Sequence, residues 1–227
     1  MLSREDNERL VRVGPGTPMG ALMRLHWIPF LRSSDVVADG QPHRVRLLCE
    51  DLVAFRDSAG QVGLVNHACP HRAAPMVFAR NEDGGLRCTY HGWKFGVDGK
   101  CQDMAAEAAN SPLCRTVKIQ AYPVKERGGM LWAYMGPDAE PPPLPDLEWN
   151  QVPAEQLHVS LRIQECNWLQ ALEGEIDSAH AAVLHGRVDK DSTINQWRQA
   201  QDLVPTFECV QHGAGVQIAA RRKAGDS

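Results

Sequence analysis

Two short pairs of metal-seeking side chains constrain this sequence more than any other feature. Cys69 and His71 are separated by one residue, Cys88 and His91 by two, and sixteen residues lie between the pairs. Each pair offers one thiol and one imidazole from a single short loop. Two such loops brought together can clasp a centre of two metal ions.

The residue types select the centre. A [2Fe–2S] cluster takes four protein ligands, and its Rieske form takes two thiolates on one iron and two imidazoles on the other. Neutral imidazoles in place of thiolates raise the reduction potential above that of a four-cysteine cluster. A zinc site uses the same atoms, but usually as a Cys-x-x-Cys pair followed by a His pair. Here each half is mixed, which favours the cluster. Pro70 stiffens the first loop, Gly92 lets backbone pass close to the cluster, and Trp93 can shield it from water. The other cysteines (Cys49, Cys101, Cys114, Cys166 and Cys209) have no partner pattern and are expected to be buried small apolar residues.

Around these loops the chain has an ordinary globular balance, 43% apolar and 23% charged, which argues against general disorder. A net charge of −4 gives no reason to expect nucleic acid. No apolar run reaches the length of a membrane span, and the charged start MLSREDNERL is unlike a signal peptide, so a cytoplasmic location is expected. Residues 4–25 predict two short helices around Gly14-Pro15-Gly16, the second entered at Thr17-Pro18. Strands are predicted for VRLLCE, LVAFRD, VGLVNH, LRCTY, WKFGV and Met130–Tyr134, with hairpin turns at Asp57–Gly60 and Asp98-Gly99. Five prolines between Pro137 and Pro145 predict an extended connector. Beyond it, LHVSLRI reads as a strand, Asn167 to about Leu184 as a helix, and residues 205–222 as two strands.

That helix carries Asp177, His180 and His185. Asp177 and His180, three apart, share a face if the helix is continuous. His180 and His185 are five apart, which leaves them roughly 140° apart on an ideal helix, so the helix must end or bulge between them if both are to reach one ion. With that adjustment they supply the imidazoles of a two-His, one-carboxylate site, whose open positions suit Fe(II) and O2.

The motifs CPHR and CTYHGWKF, followed by NWLQALEGEIDSAHAAVLH, resemble the large subunit of the Rieske non-haem iron aromatic-ring oxygenases, particularly the phthalate dioxygenase group. The resemblance covers nearly the whole chain. It implies an α+β fold: a Rieske antiparallel β domain followed by the start of a helix-grip-like α+β catalytic domain. The divisions expected are a helical segment over 1–40, the cluster domain over 41–137, the Pro-rich linker over 138–149 and the incomplete catalytic domain over 150–227. By resemblance Cys69, His71, Cys88 and His91 hold the cluster, and His180 and His185 bind the mononuclear iron. Asp177 corresponds to the carboxylate that links an iron histidine to a cluster histidine, matching His91, of a neighbouring subunit; this implies a homotrimer or a multiple of it. The family's third iron ligand is a distant downstream aspartate. Asp189, Asp191, Asp202 and Asp226 all come too early to match it, so the chain is expected to be a C-terminally truncated subunit, inactive alone.

The scheme implied is electron supply from NADH through a flavin and iron–sulfur reductase, then cluster, Asp177, mononuclear Fe(II), and O2 attack on an aromatic, carboxylated substrate to give a cis-diol. Arg187, Arg198, Arg221 and Arg222 are candidate partners for such a carboxylate. A monooxygenase or O-demethylase of aryl ethers is the nearest alternative. A Rieske ferredoxin that only carries electrons is the alternative of another class, and the His180/His185 segment speaks against it.

Overall fold

The computed structural model describes residues 2–108, 111–184, 202–213 and 215–223. Two compact units are present, Met1–Ile163 and Gln164–Ser227. The first begins with α1 (Arg4–Val11) and α2 (Pro18–Arg24). Ser3 caps α1 by accepting from the Asp6 N–H, and Thr17 caps α2 by accepting from the Gly20 N–H, with Pro18 at the first helical position.

Eleven short strands follow: β1 (Trp27–Arg32), β2 (His43–Leu47), β3 (Glu50–Arg56), β4 (Val62–Asn66), β5 (Arg80–Glu82), β6 (Gly85–Arg87), β7 (Trp93–Phe95), β8 (Cys101–Met104), β9 (Ala121–Tyr122), β10 (Val124–Arg127) and β11 (Met130–Tyr134), with the single turn α3 (Leu113–Thr116) before β9. They form three antiparallel sheets, ordered β2-β3-β4-β9, β5-β6-β7-β8 and β1-β11-β10. In β3 four successive residues, Leu52 to Phe55, are fully buried. Alternation along a strand explains how: Val53 and Phe55 enter one core with Leu86, Trp93 and Phe95, while Leu52 and Ala54 enter another with Phe30, Leu131 and Ala133. The β2-β3-β4-β9 sheet therefore carries a core on each face.

Gly63 in β4 is dictated by this packing. A Cβ there would lie 2.4 Å from Phe55 Cε1. Gly63→Ala is expected to cost about 1–3 kcal/mol by overpacking, read as a lower urea midpoint at unchanged slope.

The α+β class and the antiparallel amino-terminal β unit stand as expected. VRLLCE is not one strand. Leu48 and Cys49 have φ of 44° and 65° and turn β2 into β3; neither is the Gly or Asn that marks such a turn. LRCTY is a strand only up to Arg87, because Cys88 opens a loop. LHVSLRI forms no strand. The Pro-rich segment is packed within the first unit: Trp27 Nε1 donates to Pro142 O at 2.8 Å, and Leu144 is buried with Trp27, Trp132 and Tyr134.

In the second unit α4 (Trp168–Ile176) is capped by Asn167, α5 (His180–Leu184) follows, and β12 (Thr206–His212) pairs with β13 (Gly215–Arg221). The helix expected over 167–184 is two helices. The break falls at Asp177–Ala179, ahead of His180, where Asp177 caps α4. Of the described residues of the two helices only Ala182 is buried, and Leu172 and Ile176 are exposed.

Candidate metal centre

The two mixed pairs sit on loops of the same construction. In the first, Cys69 N–H donates to Ala74 O at 2.9 Å and Ala73 N–H donates back to Cys69 O at 2.8 Å. In the second, Cys88 N–H donates to Trp93 O at 2.9 Å and Gly92 N–H to Cys88 O at 3.0 Å. Each loop thus closes at the fifth residue after its cysteine and folds back at the fourth. That fourth residue is left-handed in both, Ala73 at φ 56° and Gly92 at φ 73°. Glycine takes this conformation freely and alanine pays for it. Gly92 has a second reason, since a Cβ there would come within 2.8 Å of Ala105 Cβ. The histidine is two residues after the cysteine in one loop and three in the other.

The loops bring the four candidate ligands together. Cys69 and Cys88 are 3% and 4% exposed within the same core. The imidazoles of His71 and His91 lie 4.5 Å apart, centre to centre. Trp93 stacks on His71 at 4.4 Å and 8° between planes, while the exposed Tyr90 lies against His91 at 3.8 Å. His71 Nδ1 and Trp93 Nε1 are buried without a hydrogen-bond partner among the described residues. Buried polar nitrogens are normally paired, and iron at His71 Nδ1 would satisfy that position. A two-iron cluster asks only two donors per iron. The donor set therefore fits the cluster.

Burial pushes the Cys69 thiol up to about 11, opposed by the His71 backbone N–H and reinforced by the Cys88 sulfur. Metal binding at this sulfur would require loss of the thiol proton.

Arg87, immediately before Cys88, was not evident as a site residue. Its guanidinium donates to Gly92 O at 2.8 Å, to Asp103 at 2.6 Å and to Glu82 at 2.8 Å, and its side chain is only 14% exposed. It ties the second loop to β5 and β8. Arg87→Met is expected to cost about 2 kcal/mol and to speed cluster loss, measured by urea unfolding and by the decay of cluster absorbance. Arg80 and then Arg87 hold Glu82 below the usual carboxylate range, and Arg87 does so for Asp103. Carboxylates with lowered folded values stabilise above their unfolded values. The contribution is present at neutral pH and is lost as pH falls below about 4; in the methionine variant Asp103's share of that acid loss disappears.

In the second unit Asp177 Oδ1 accepts from the Ala179 N–H at 2.8 Å, which chiefly keeps its carboxyl low, and Oδ2 lies 3.3 Å from His180 Nδ1. The two meet across the turn between α4 and α5, not on one helix face. His185, Arg187, Asp189, Asp191, Arg198 and Asp226 lie outside the described residues. Arg222 donates to Ser178 O and Asp202 O, and Arg221 pairs with Glu208 at 3.0 Å. Both are engaged in the unit's own structure. Asp202 accepts from the Val204 and Lys223 N–H groups, a turn-capping role.

Residues 26–123 match the Rieske [2Fe-2S] domain family, and residues 133–224 match the family described as LigXa C-terminal domain like. The chain belongs to the Rieske oxygenases. Within them it sits in the phthalate dioxygenase-like group. It is 49% identical over 82% of its length to the 3-chlorobenzoate-3,4-dioxygenase oxygenase subunit of Comamonas testosteroni, covering 43% of that protein. To the phthalate 4,5-dioxygenase oxygenase subunit of Pseudomonas putida it is 43% identical over 98% of its length, covering 53% of that protein. To the 5,5'-dehydrodivanillate O-demethylase oxygenase subunit of Sphingobium sp. it is 42% identical over 84%, covering 45% of that protein. The chain spans about half the length of the curated relatives it matches. Dicamba monooxygenase bound to 3,6-dichlorosalicylic acid shares the fold, with TM-score 0.67 and 23% identity over 86% of this chain and 54% of the other. Rieske oxygenases use a [2Fe–2S] cluster and non-haem iron. Among the described residues no helix is long and apolar enough to cross a membrane.

Proposed function

We propose that the protein serves in an oxygenase component that hydroxylates an aromatic carboxylate, with Cys69, His71, Cys88 and His91 holding a Rieske cluster and His180 and His185 holding non-haem iron. The observation that carries this reading is the pair of matching loops, with two buried sulfurs and an unpartnered buried His71 Nδ1. When bound, the cluster supplies electrons singly and the non-haem iron activates O2 against the aromatic ring. Trp93, stacked on His71, keeps water from that imidazole and fixes its plane. Asp177 lies 3.3 Å from His180 Nδ1 and would orient that imidazole toward a metal, and the same carboxylate would reach His91 of a neighbouring subunit in a homotrimer. NADH, through a flavin and iron–sulfur reductase, is the proposed electron source.

The substrate class rests on relatives named for 3-chlorobenzoate and phthalate. The second reading, O-demethylation of an aryl ether, is favoured by the Sphingobium relative. A bare electron carrier is disfavoured by the match over 133–224.

The test is reconstitution of the chain with iron and sulfide. About two irons and two sulfides in a reducible cluster with a Rieske-type paramagnetic spectrum are expected, with iron beyond those two assigned to His180 and His185; a single bound zinc and no reducible cluster would defeat the cluster assignment. Mass analysis of products from the oxygenase then separates the readings. A gain of two oxygens supports dihydroxylation, and a lost methyl group supports demethylation.

A further inference from the structure

Two cysteines outside the metal-binding loops stand against each other. Cys101 opens β8 and Cys114 lies in α3, and their sulfurs are 3.2 Å apart. Neither belongs to the four candidate ligands, and the thirteen-residue spacing in sequence carries no metal or redox pattern. The backbone already holds the two segments together: Cys101 N–H donates to Val117 O, Ile119 N–H donates to Gly99 O at 2.9 Å, and Lys100 bridges to Lys118. Drawing the sulfurs to the bonded distance of about 2.05 Å therefore needs side-chain rotation rather than a new loop closure. Cys49, Cys166 and Cys209 are exposed and form no sulfur–sulfur contact among the described residues. Cys69 and Cys88 are committed to the cluster on the reading above.

We propose that Cys101 and Cys114 form a reversible disulfide, making this wall of the cluster domain a redox-modified site whose oxidant is a hydroperoxide. The two thiols have unequal roles. Burial first, and the Cys114 sulfur second, push Cys101 up to about 12, so it takes part as a thiol. Both sulfurs are half-buried, and Cys114 lies between exposed Leu113 and Arg115. Its thiolate attacks the peroxide: an S–O bond forms, the O–O bond breaks, and Cys114 becomes a sulfenic acid as the distal oxygen leaves as water or alcohol with one proton. The Cys101 sulfur then displaces the sulfenic oxygen, which departs as water with the Cys101 proton. Two thiols lose two electrons and two protons, and the peroxide takes up both.

The bond has a route to the cluster loop. Cys101 Sγ donates to Asp103 O at 3.5 Å, and the Asp103 carboxylate holds Arg87, which holds Gly92 O. Oxidation removes the first donor in that chain.

The test treats the cluster-loaded full chain with stoichiometric hydrogen peroxide, followed by alkylation and peptide mapping by mass. The expected product is a peptide pair joined through Cys101 and Cys114, in most chains, returning to two alkylated thiols after dithiothreitol. Cys101→Ser treated in the presence of dimedone is expected to carry the adduct on Cys114, while Cys114→Ser gives no bridge. The proposal is overturned if both thiols of the folded wild-type chain still alkylate after peroxide has oxidised the exposed cysteines. It is equally overturned if the only bridge found joins Cys69 to Cys88. Because the wild-type chain carries the main readout, a misfolded variant cannot mimic failure. Loss of the cluster assignment would leave these outcomes unchanged.

Discussion

Replacing Cys88 by serine is expected to give a folded chain whose cluster iron and acid-labile sulfide fall from about two each per chain to near zero. Serine nearly matches cysteine in size, and the position is enclosed by the core containing Val53, Leu86 and Trp93. Burying a hydroxyl there costs about 1–3 kcal/mol, which is smaller than the stability of an ordinary domain. A serine hydroxyl does not ionise near neutral pH, whereas iron needs the thiolate. The ligand effect therefore exceeds the folding effect. Visible absorption with near-ultraviolet circular dichroism separates them: the first should vanish while the second persists. The metal assignment fails if Cys88→Ser keeps its cluster while a serine at Cys101 loses it.

The second large effect is expected at Asp177. In the oxygenase, Asp177→Ala should lower product formation by about 10–100-fold, as loss of a carboxylate that orients a ligating imidazole does elsewhere. The reducible cluster should remain spectroscopically unchanged. Asp177→Asn keeps an oxygen able to accept from the Ala179 N–H but offers His180 no charge. If the side chain only shapes the turn between α4 and α5, the asparagine variant should behave as wild type. If it works on His180, both variants should be slow, with the pH profile of the rate displaced. Full activity in the alanine variant would end the positioning role.

The two Cys/His loops stand out in the sequence because rare residue types at short spacing leave few alternatives. Their shared hydrogen-bond pattern does not, since Ala73 gives no hint that it is left-handed while Gly92 does. Arg87 escaped notice for a related reason: its partners Glu82, Gly92 and Asp103 come from three separate segments. The turn at Leu48-Cys49 lacked its usual residues and was read as continuous strand. In the second unit the single helix expected from Asn167 begins as α4 does. Periodicity carries no sign of a break, however, and the helix ended where Asp177 turned its carboxylate to the Ala179 N–H. Cys101 and Cys114 were read as isolated apolar residues because nothing local joins β8 to α3. Cys49, Cys166 and Cys209 were read likewise and are exposed.

The double burial of β3 bears on how the metal-binding unit comes apart. A strand whose alternate side chains serve two cores cannot be released without opening both. Its amide protons should exchange with solvent only in the rarest, whole-unit openings, while those in the loops at Cys69 and Cys88 exchange in smaller, commoner ones. The loops can then breathe to accept iron and sulfide on a frame that stays assembled, and the unit can be metallated after it has folded.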